Sequence, residues 1–303
     1  MNILITGGNG FLGSELAVIA KKVYNDAVIL TPTKEELDLL DYYAVSKYFD
    51  ANNIDKVFHC AGRVSGMFGH NQGEDLYVNA TVGLNVVKAA SEHSVQSLVN
   101  VGSTCIYPKN CEAPVDESQL MQGDFEPTCS GMAFGKVAVI QYMNEACDDK
   151  KYITVMPPNI YGPGEPIKPY GNHCMLDIML KVHNAKMNNE PVLQLPGTGK
   201  AVRSFMHVQD CANAIIWCEQ HSYRKLLNIG SNISLSIKQL ADTIKKVIGY
   251  RGEIQFIGTV AEDGHPNKTE SVHALITEGY STTNCIDIES GIKQLYNYVL
   301  LSC

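Results

Sequence analysis

The sequence has no C-x-x-C pair among its ten cysteines and no cluster of His and Cys at metal-ligand spacing. Neither a zinc site nor a disulfide framework is therefore indicated, and the cysteines read as reduced thiols of a cytoplasmic protein. Runs of one charge are also missing. Lys plus Arg number 24 against 32 Asp plus Glu, with no basic patch interleaved with aromatics, so nucleic acid is not an expected partner. Any anionic ligand must be held locally. No apolar stretch is long enough to span a bilayer, and Met1-Asn2-Ile3-Leu4-Ile5-Thr6 lacks the basic and apolar regions of a secretory leader. Internal repeats and low-complexity tracts are absent as well, which argues against a solenoid.

What is present is a chain of 303 residues with 45% apolar content, enough to bury a sizeable core. Over residues 1–157 short apolar strands alternate with amphipathic helical stretches, the pattern of an α/β domain with a doubly wound parallel sheet. Strands are predicted at 3–6, 27–30, 56–60, 98–102 and 152–156, and helices near 11–23, 42–51, 75–94 and 132–146, with Asp41 as the N-cap of the second helix. After Pro157-Pro158-Asn159-Ile160-Tyr161-Gly162-Pro163-Gly164 the alternation stops until a helical stretch at 208–220. Residues 158–303 are read as a smaller mixed α/β substrate region, with a return contribution to the first domain near 204–230. That region would hold a ligand against the C-terminal ends of the strands, where doubly wound sheets place their sites.

Gly7-Gly8-Asn9-Gly10-Phe11-Leu12-Gly13 follows the first strand and opens the first helix. Glycines at 7, 10 and 13 allow a tight turn, let backbone approach a pyrophosphate, and expose a helix N-terminus whose dipole favours anions. NAD sites place a carboxylate at the end of the second strand to accept bonds from the ribose 2′-hydroxyl. Here that end reads Leu30-Thr31-Pro32-Thr33-Lys34, with a cation instead, so NADPH is the expected cofactor.

Further segments carry a family resemblance: Leu37-Asp38-Leu39-Leu40-Asp41, Gly62-Arg63-Val64-Ser65-Gly66, Gly102-Ser103-Thr104-Cys105-Ile106-Tyr107-Pro108, Arg203-Ser204-Phe205-Met206-His207-Val208 and Leu227-Asn228-Ile229-Gly230. With the Pro157-to-Pro163 segment they make the chain resemble, over nearly its whole length, the GDP-L-fucose synthases. These are extended short-chain dehydrogenases of Rossmann type that act on GDP-4-keto-6-deoxy sugars. The resemblance extends to reductases of GDP-4-keto-heptoses. It implies a GDP-linked 4-keto sugar as substrate, a place in surface-glycan precursor synthesis, and a homodimer joined through a four-helix bundle made by the helices near 75–94 and 132–146. By position, Ser103 would hydrogen-bond the sugar C4 oxygen and Lys136 would bind the nicotinamide ribose. Cys105 and His173 would be base and acid for epimerising the carbons beside the ketone. Arg203 would meet the diphosphate with Lys181 along the same ligand, Thr104 and Asn159 would touch substrate, and Phe11, Leu12, Asp38, Leu39 and Ala61 would line the cofactor site.

One position departs from the pattern. Four residues before Lys136, where short-chain dehydrogenases carry a tyrosine acid, stands Met132. A thioether has no proton to give, and losing a positioned general acid costs ~100 to 10,000-fold in rate. Three readings follow: reduction with a proton from Lys136, Ser103, Thr104 or water; C3/C5 epimerisation without reduction; or a non-catalytic or altered sugar-nucleotide-binding protein. The retained glycine motif, Ser103 and Lys136 favour the first.

Overall fold

The computed structural model describes residues 1–63, 71–147, 151–169 and 171–302, so Val64, Ser65 and Gly66 lie outside the described residues. The N-terminal half runs β1 (Asn2–Thr6), α1 (Phe11–Val23), β2 (Val28–Leu30), α2 (Tyr42–Asn52), β3 (Lys56–His59), α3 (Gln72–Glu92), β4 (Ser97–Val101), α4 (Ser130–Ala146) and β5 (Lys151–Met156). It continues through β6 (Asn159–Tyr161), α5 (Cys174–Met187), β7 (Val192–Leu195), β8 (Val202–His207), α6 (Val208–His221) and β9 (Leu226–Asn228). The last stretch holds β10 (Ser234–Ser236), α7 (Ile237–Ile248), β11 (Glu253–Phe256), β12 (Asn267–Lys268), α8 (His273–Thr277) and α9 (Ile288–Ser302).

Strand side chains alternate between the two faces of a sheet, and here each face meets helices, so both sets are apolar. Ile3 and Ile5 of β1, Phe58 of β3, Val99 of β4 and Ile153 of β5 join Leu16 of α1 and Ile215 of α6 in one core. Leu4, Val57, Leu98 and Tyr152, one step along the same strands, join Phe49 of α2, Val86 of α3 and Met143 of α4 in the other. The resulting sheet has the order β2-β1-β3-β4-β5-β9, parallel throughout. This is the doubly wound α/β fold expected from the alternation. Strand order reverses between β1 and β3, which opens a crevice at their C-terminal ends.

Asp41 caps α2 as expected, its carboxylate accepting from Tyr43 N at 2.9 Å. Helix α3 begins at Gln72 rather than 75, because Asn71 accepts from Glu74 N and starts it earlier. The expected pause in regular structure before 208 is corrected by β6, α5 and β7, which fill it. There β8 pairs with β6, β10 and β12, and β7 pairs with β11. Helices α5, α7 and α9 cover that part through Leu176, Met179, Leu240, Ile244 and Leu295. The chain then returns to the large sheet, where β9 pairs with β5.

Candidate active site

The turn after β1 is built by close approach. Gly7 has φ +68°, and a Cβ there would lie 2.8 Å from Ala61 N at the end of β3. A Cβ on Gly13 would lie 2.1 Å from Gly7 O, so only glycine lets the first turn of α1 lie on the loop. Gly10 is the N-cap of α1 and supplies no side-chain cap, and the first turn carries no acidic residue. A helix start of this kind favours an anionic group, and the cradle fits a dinucleotide pyrophosphate without a side chain in the way.

Two cavities meet at Gly7, Gly10 and Gly62. The first, of about 460 Å³, is lined by Lys34, Asp38, Leu39, Ala61 and Arg63. Asp38 turns its carboxylate back onto Leu40 N at 3.0 Å, and Glu36 accepts from Thr33 N at 2.8 Å. Lys34 and Arg63 are the cations of this cavity, and Arg63 Nε donates to the buried Asp75 at 2.7 Å. Nothing in the sequence pattern had distinguished Arg63 from the rest of its motif.

The second cavity, of about 410 Å³, brings together Phe11, Leu12, Ser103, Cys105, Met132, Lys136, Asn159, Glu165 and His173. Helix α4 owes its position to glycine contacts with α3: a Cβ on Gly131 would sit 2.0 Å from Gln72 O, and one on Gly135 2.9 Å from Leu76 O. The helical spacing that turns 131 and 135 toward α3 turns Met132 and Lys136 together toward the cavity. Met132 is 9% exposed and belongs to one buried apolar cluster with Ile106, Tyr107, Val137, Ile140 and Met156 while lining that space.

Lys136 Nζ donates to Val101 O at 2.7 Å. Loss of solvent lowers its pKa to about 8, while the nearby Cys60 and Cys105 thiols push the other way. The same desolvation drives Cys60 up to about 12 and His59 down to about 3, and His59 Nδ1 bonds Thr6 Oγ1 at 2.7 Å. Ser103 Oγ accepts from Cys105 N at 3.1 Å at the start of a short 3-10 turn. Thr104 N donates to Pro157 O at 3.0 Å, and Asn159 Nδ2 donates to Ser204 O at 2.9 Å. His173 is the N-cap residue of α5, but it makes no side-chain cap bond; its Nδ1 lies 2.9 Å from Glu165 Oε1.

Arg203 and Lys181 stand apart from the linings of both cavities. The Arg203 guanidinium donates to the carbonyls of Val202, His265 and Asp263, and burial lowers its pKa. Lys181 pairs with Asp177 one turn earlier at 2.7 Å. Both cations are electrostatic neighbours of Cys174. Among the described residues no group of acidic, His or Cys side chains could hold a metal ion, and no helix is long and apolar enough to cross a membrane.

The sequence model of the NAD dependent epimerase/dehydratase family matches residues 3–230. The chain is 32% identical to the GDP-L-fucose synthase of Escherichia coli (strain K12), an alignment covering 98% of this chain and 96% of that protein. It is 28% identical to the GDP-L-colitose synthase of Yersinia pseudotuberculosis, over 99% and 98% of the two chains. Among solved structures, a GDP-mannoheptose C4 reductase from Campylobacter jejuni with NADP bound superposes with a TM-score of 0.85 at 26% identity, covering 99% of this chain and 98% of that one. A UDP-glucose 4-epimerase from Thermotoga maritima, at 20% identity and a TM-score of 0.82 over 100% and 99% of the chains, shares the fold.

Proposed function

The chain belongs to the NAD dependent epimerase/dehydratase family, in its GDP-L-fucose synthase-like group, and we propose that it is an NADPH-dependent reductase of a GDP-4-keto-sugar. The observation that carries this reading is the convergence of Ser103, Cys105, Lys136 and His173 on one cavity that opens into the glycine cradle. The sugar is a 4-keto-deoxyhexose or heptose, in keeping with the GDP-L-fucose synthase and the GDP-mannoheptose C4 reductase that the chain is similar to. Lys34 and Arg63 would meet the 2′-phosphate, and Gly7, Gly10 and Gly13 the pyrophosphate. When bound, NADPH supplies the hydride for C4.

The chain's own residues do the rest. Ser103 orients the C4 oxygen, and Lys136 gives it the proton that tyrosine gives elsewhere. The ammonium suits this task because an acid works best when its pKa lies near the working pH, and desolvation brings Lys136 to about 8. A 4-keto group acidifies the neighbouring C–H bonds, so the Cys105 thiolate can remove a proton from one face while His173 returns one to the other. Lys136 and Arg203 are electrostatic neighbours of Cys105. Arg203 is preorganised by three carbonyls and keeps its charge for the diphosphate, with Lys181 farther along α5.

The test is direct. With a GDP-4-keto-6-deoxy-sugar, the protein is expected to oxidise NADPH and to incorporate deuterium from heavy water beside the ketone. Deuterium uptake with no NADPH oxidation would leave epimerisation as the activity, a reading that Met132 at the acid's position favours. Neither signal with any GDP-sugar would sink both.

We also propose that the protein is a homodimer through α3 and α4. Leu76, Tyr77 and Phe134 are 41%, 55% and 56% exposed on these two helices, a cost in apolar surface that a second copy would remove. Sedimentation is expected to give a dimer, and Phe134→Asp a monomer; monomeric wild-type protein at micromolar concentration would refute the interface.

A further inference from the structure

We infer that Glu165 is a positioning residue for His173, fixing which ring nitrogen carries the transferable proton; this rests on the epimerising role proposed for His173. Glu165 is 1% exposed, although it stands in the Pro- and Gly-dense segment after β6. Gly162 and Gly164, at φ +144° and +91°, turn the chain inward before it, and Glu165 N donates to Gly162 O at 3.3 Å. Its Oε1 lies 2.9 Å from His173 Nδ1, while its Oε2 is buried with no hydrogen-bond partner among the described residues. A carboxylate removed from water needs a charged or hydrogen-bonded partner, and among the described residues the imidazole is the side-chain partner of this carboxylate.

The two groups are unequally placed. The His173 side chain is 54% exposed at the cavity, and the Glu165 side chain beneath it is 2% exposed. Asn172, next to His173, is tied in both directions to the Lys168 backbone, accepting from its N and donating to its O at 2.9 Å each. The backbone next to His173 is therefore anchored, and the ring itself is held by Glu165. With Nδ1–H donating to Glu165, the proton that His173 gives to carbon must come from Nε2, and the Nδ1 proton stays on the carboxylate bond throughout. Nε2 is then reloaded from solvent. A carboxylate on one ring nitrogen sets tautomer and orientation for work at the other.

The same contact could serve only to close the loop between residues 165 and 173, so the test must separate support of chemistry from support of folding. Nitrogen-15 NMR of histidine-labelled protein, at a pH where the ring is neutral, is expected to show His173 as the Nδ1–H tautomer in the full chain. In Glu165→Leu the Nε2–H form is expected to take over. A wild-type ring in the Nε2–H form overturns the proposal, whatever the activity.

In heavy water with a GDP-4-keto-6-deoxy-sugar and no reduced cofactor, Glu165→Gln is expected to lower the rate of inversion roughly 100-fold. Its KM is expected to stay within twofold, with Cys105-dependent deuterium uptake retained and Glu165→Asp recovering part of the loss. Inversion at the wild-type rate in Glu165→Gln, or equal loss of inversion, deuterium uptake and substrate binding, overturns the positioning role. If the wild-type protein shows the Nδ1–H tautomer yet neither exchanges nor inverts any GDP-4-keto-sugar, the epimerising role of His173 fails and takes the positioning role with it.

Discussion

Replacing Lys136 by methionine is expected to make the folded protein more resistant to urea relative to wild type at neutral pH than at high pH, while removing reductase activity. Burial lowers the ammonium from its ordinary 10.5 to about 8, so between those values the unfolded chain holds a proton that the folded chain has released. Stability attributable to Lys136 therefore rises with pH across that window, and below about 8 the folded protein carries the full cost of a desolvated charge. The gap corresponds to roughly 3 kcal/mol. Against it stands the bond from Nζ to Val101 O, whose loss leaves a buried carbonyl unpaired at about 1–3 kcal/mol. That second contribution does not depend on pH. The difference between variant and wild type, measured by urea unfolding from pH 7 to pH 10.5, should thus change by roughly 3 kcal/mol in the variant's disfavour as pH rises. A difference that stays flat over this range would refute the desolvated-lysine argument, and with it the reason for making Lys136 the acid. The same titration predicts that C4 reduction falls as pH rises through about 8, because the donor must be protonated.

Met132→Tyr is expected to raise turnover at least ~10-fold by restoring a phenol beside Ser103 and Lys136, at a packing cost of about 1–3 kcal/mol; steady-state NADPH oxidation and thermal melting read the two effects. Gly13→Ala places a methyl 2.1 Å from Gly7 O, so the loop must move, and stabilisation of the fold by NADPH in a thermal melt is expected to be lost. Lys34→Glu puts a carboxylate where a 2′-phosphate would lie, and the ratio of KM values for NADPH and NADH is expected to move roughly tenfold toward NADH.

The strands of the large sheet were legible because a parallel strand covered on both faces is apolar at every step: Ile3, Leu4 and Ile5 need no partner in the sequence to declare themselves. Their boundaries moved by about a residue, as at β3, which ends at His59. The glycine turn was legible for a different reason, since its meaning lies in the spacing of Gly7, Gly10 and Gly13 between a strand and a helix. Helix α5 was hidden by its surroundings: it starts directly after a loop dense in Pro and Gly, and His173 and Cys174 at its start give none of the usual cap signals. The carboxylate under His173 was hidden more deeply. Glu165 is an ordinary acidic residue in a turn-rich segment until positive-φ glycines fold it inward. The carbonyl cradle of Arg203 likewise depends on residues 263 and 265, which only the pairing of β12 with β8 brings near.

The structural contacts account for how a methionine can stand at position 132 without dismantling the site. The groups that set the geometry of α4 are Gly131 and Gly135, whose contacts with α3 admit no side chain, and neither contact passes through residue 132. A tyrosine at 132 would need a buried wall for its ring and a polar opening for its hydroxyl. The ring's share of that space is filled by a flexible thioether in the cluster that holds Ile106, Tyr107 and Met156, and the helix keeps its register. Lys136, one turn later, keeps its bond to Val101 O and its view of the cavity. The loss is therefore confined to one hydroxyl. A desolvated ammonium in the same cavity can supply the proton that hydroxyl would have carried, but only while it remains charged. An enzyme working through lysine should consequently lose rate on the alkaline side near pH 8, and restoring a phenol in Met132→Tyr should weaken that alkaline loss together with raising turnover. Higher turnover with an unchanged alkaline limb would mean that the proton reaches the C4 oxygen from a group other than Lys136.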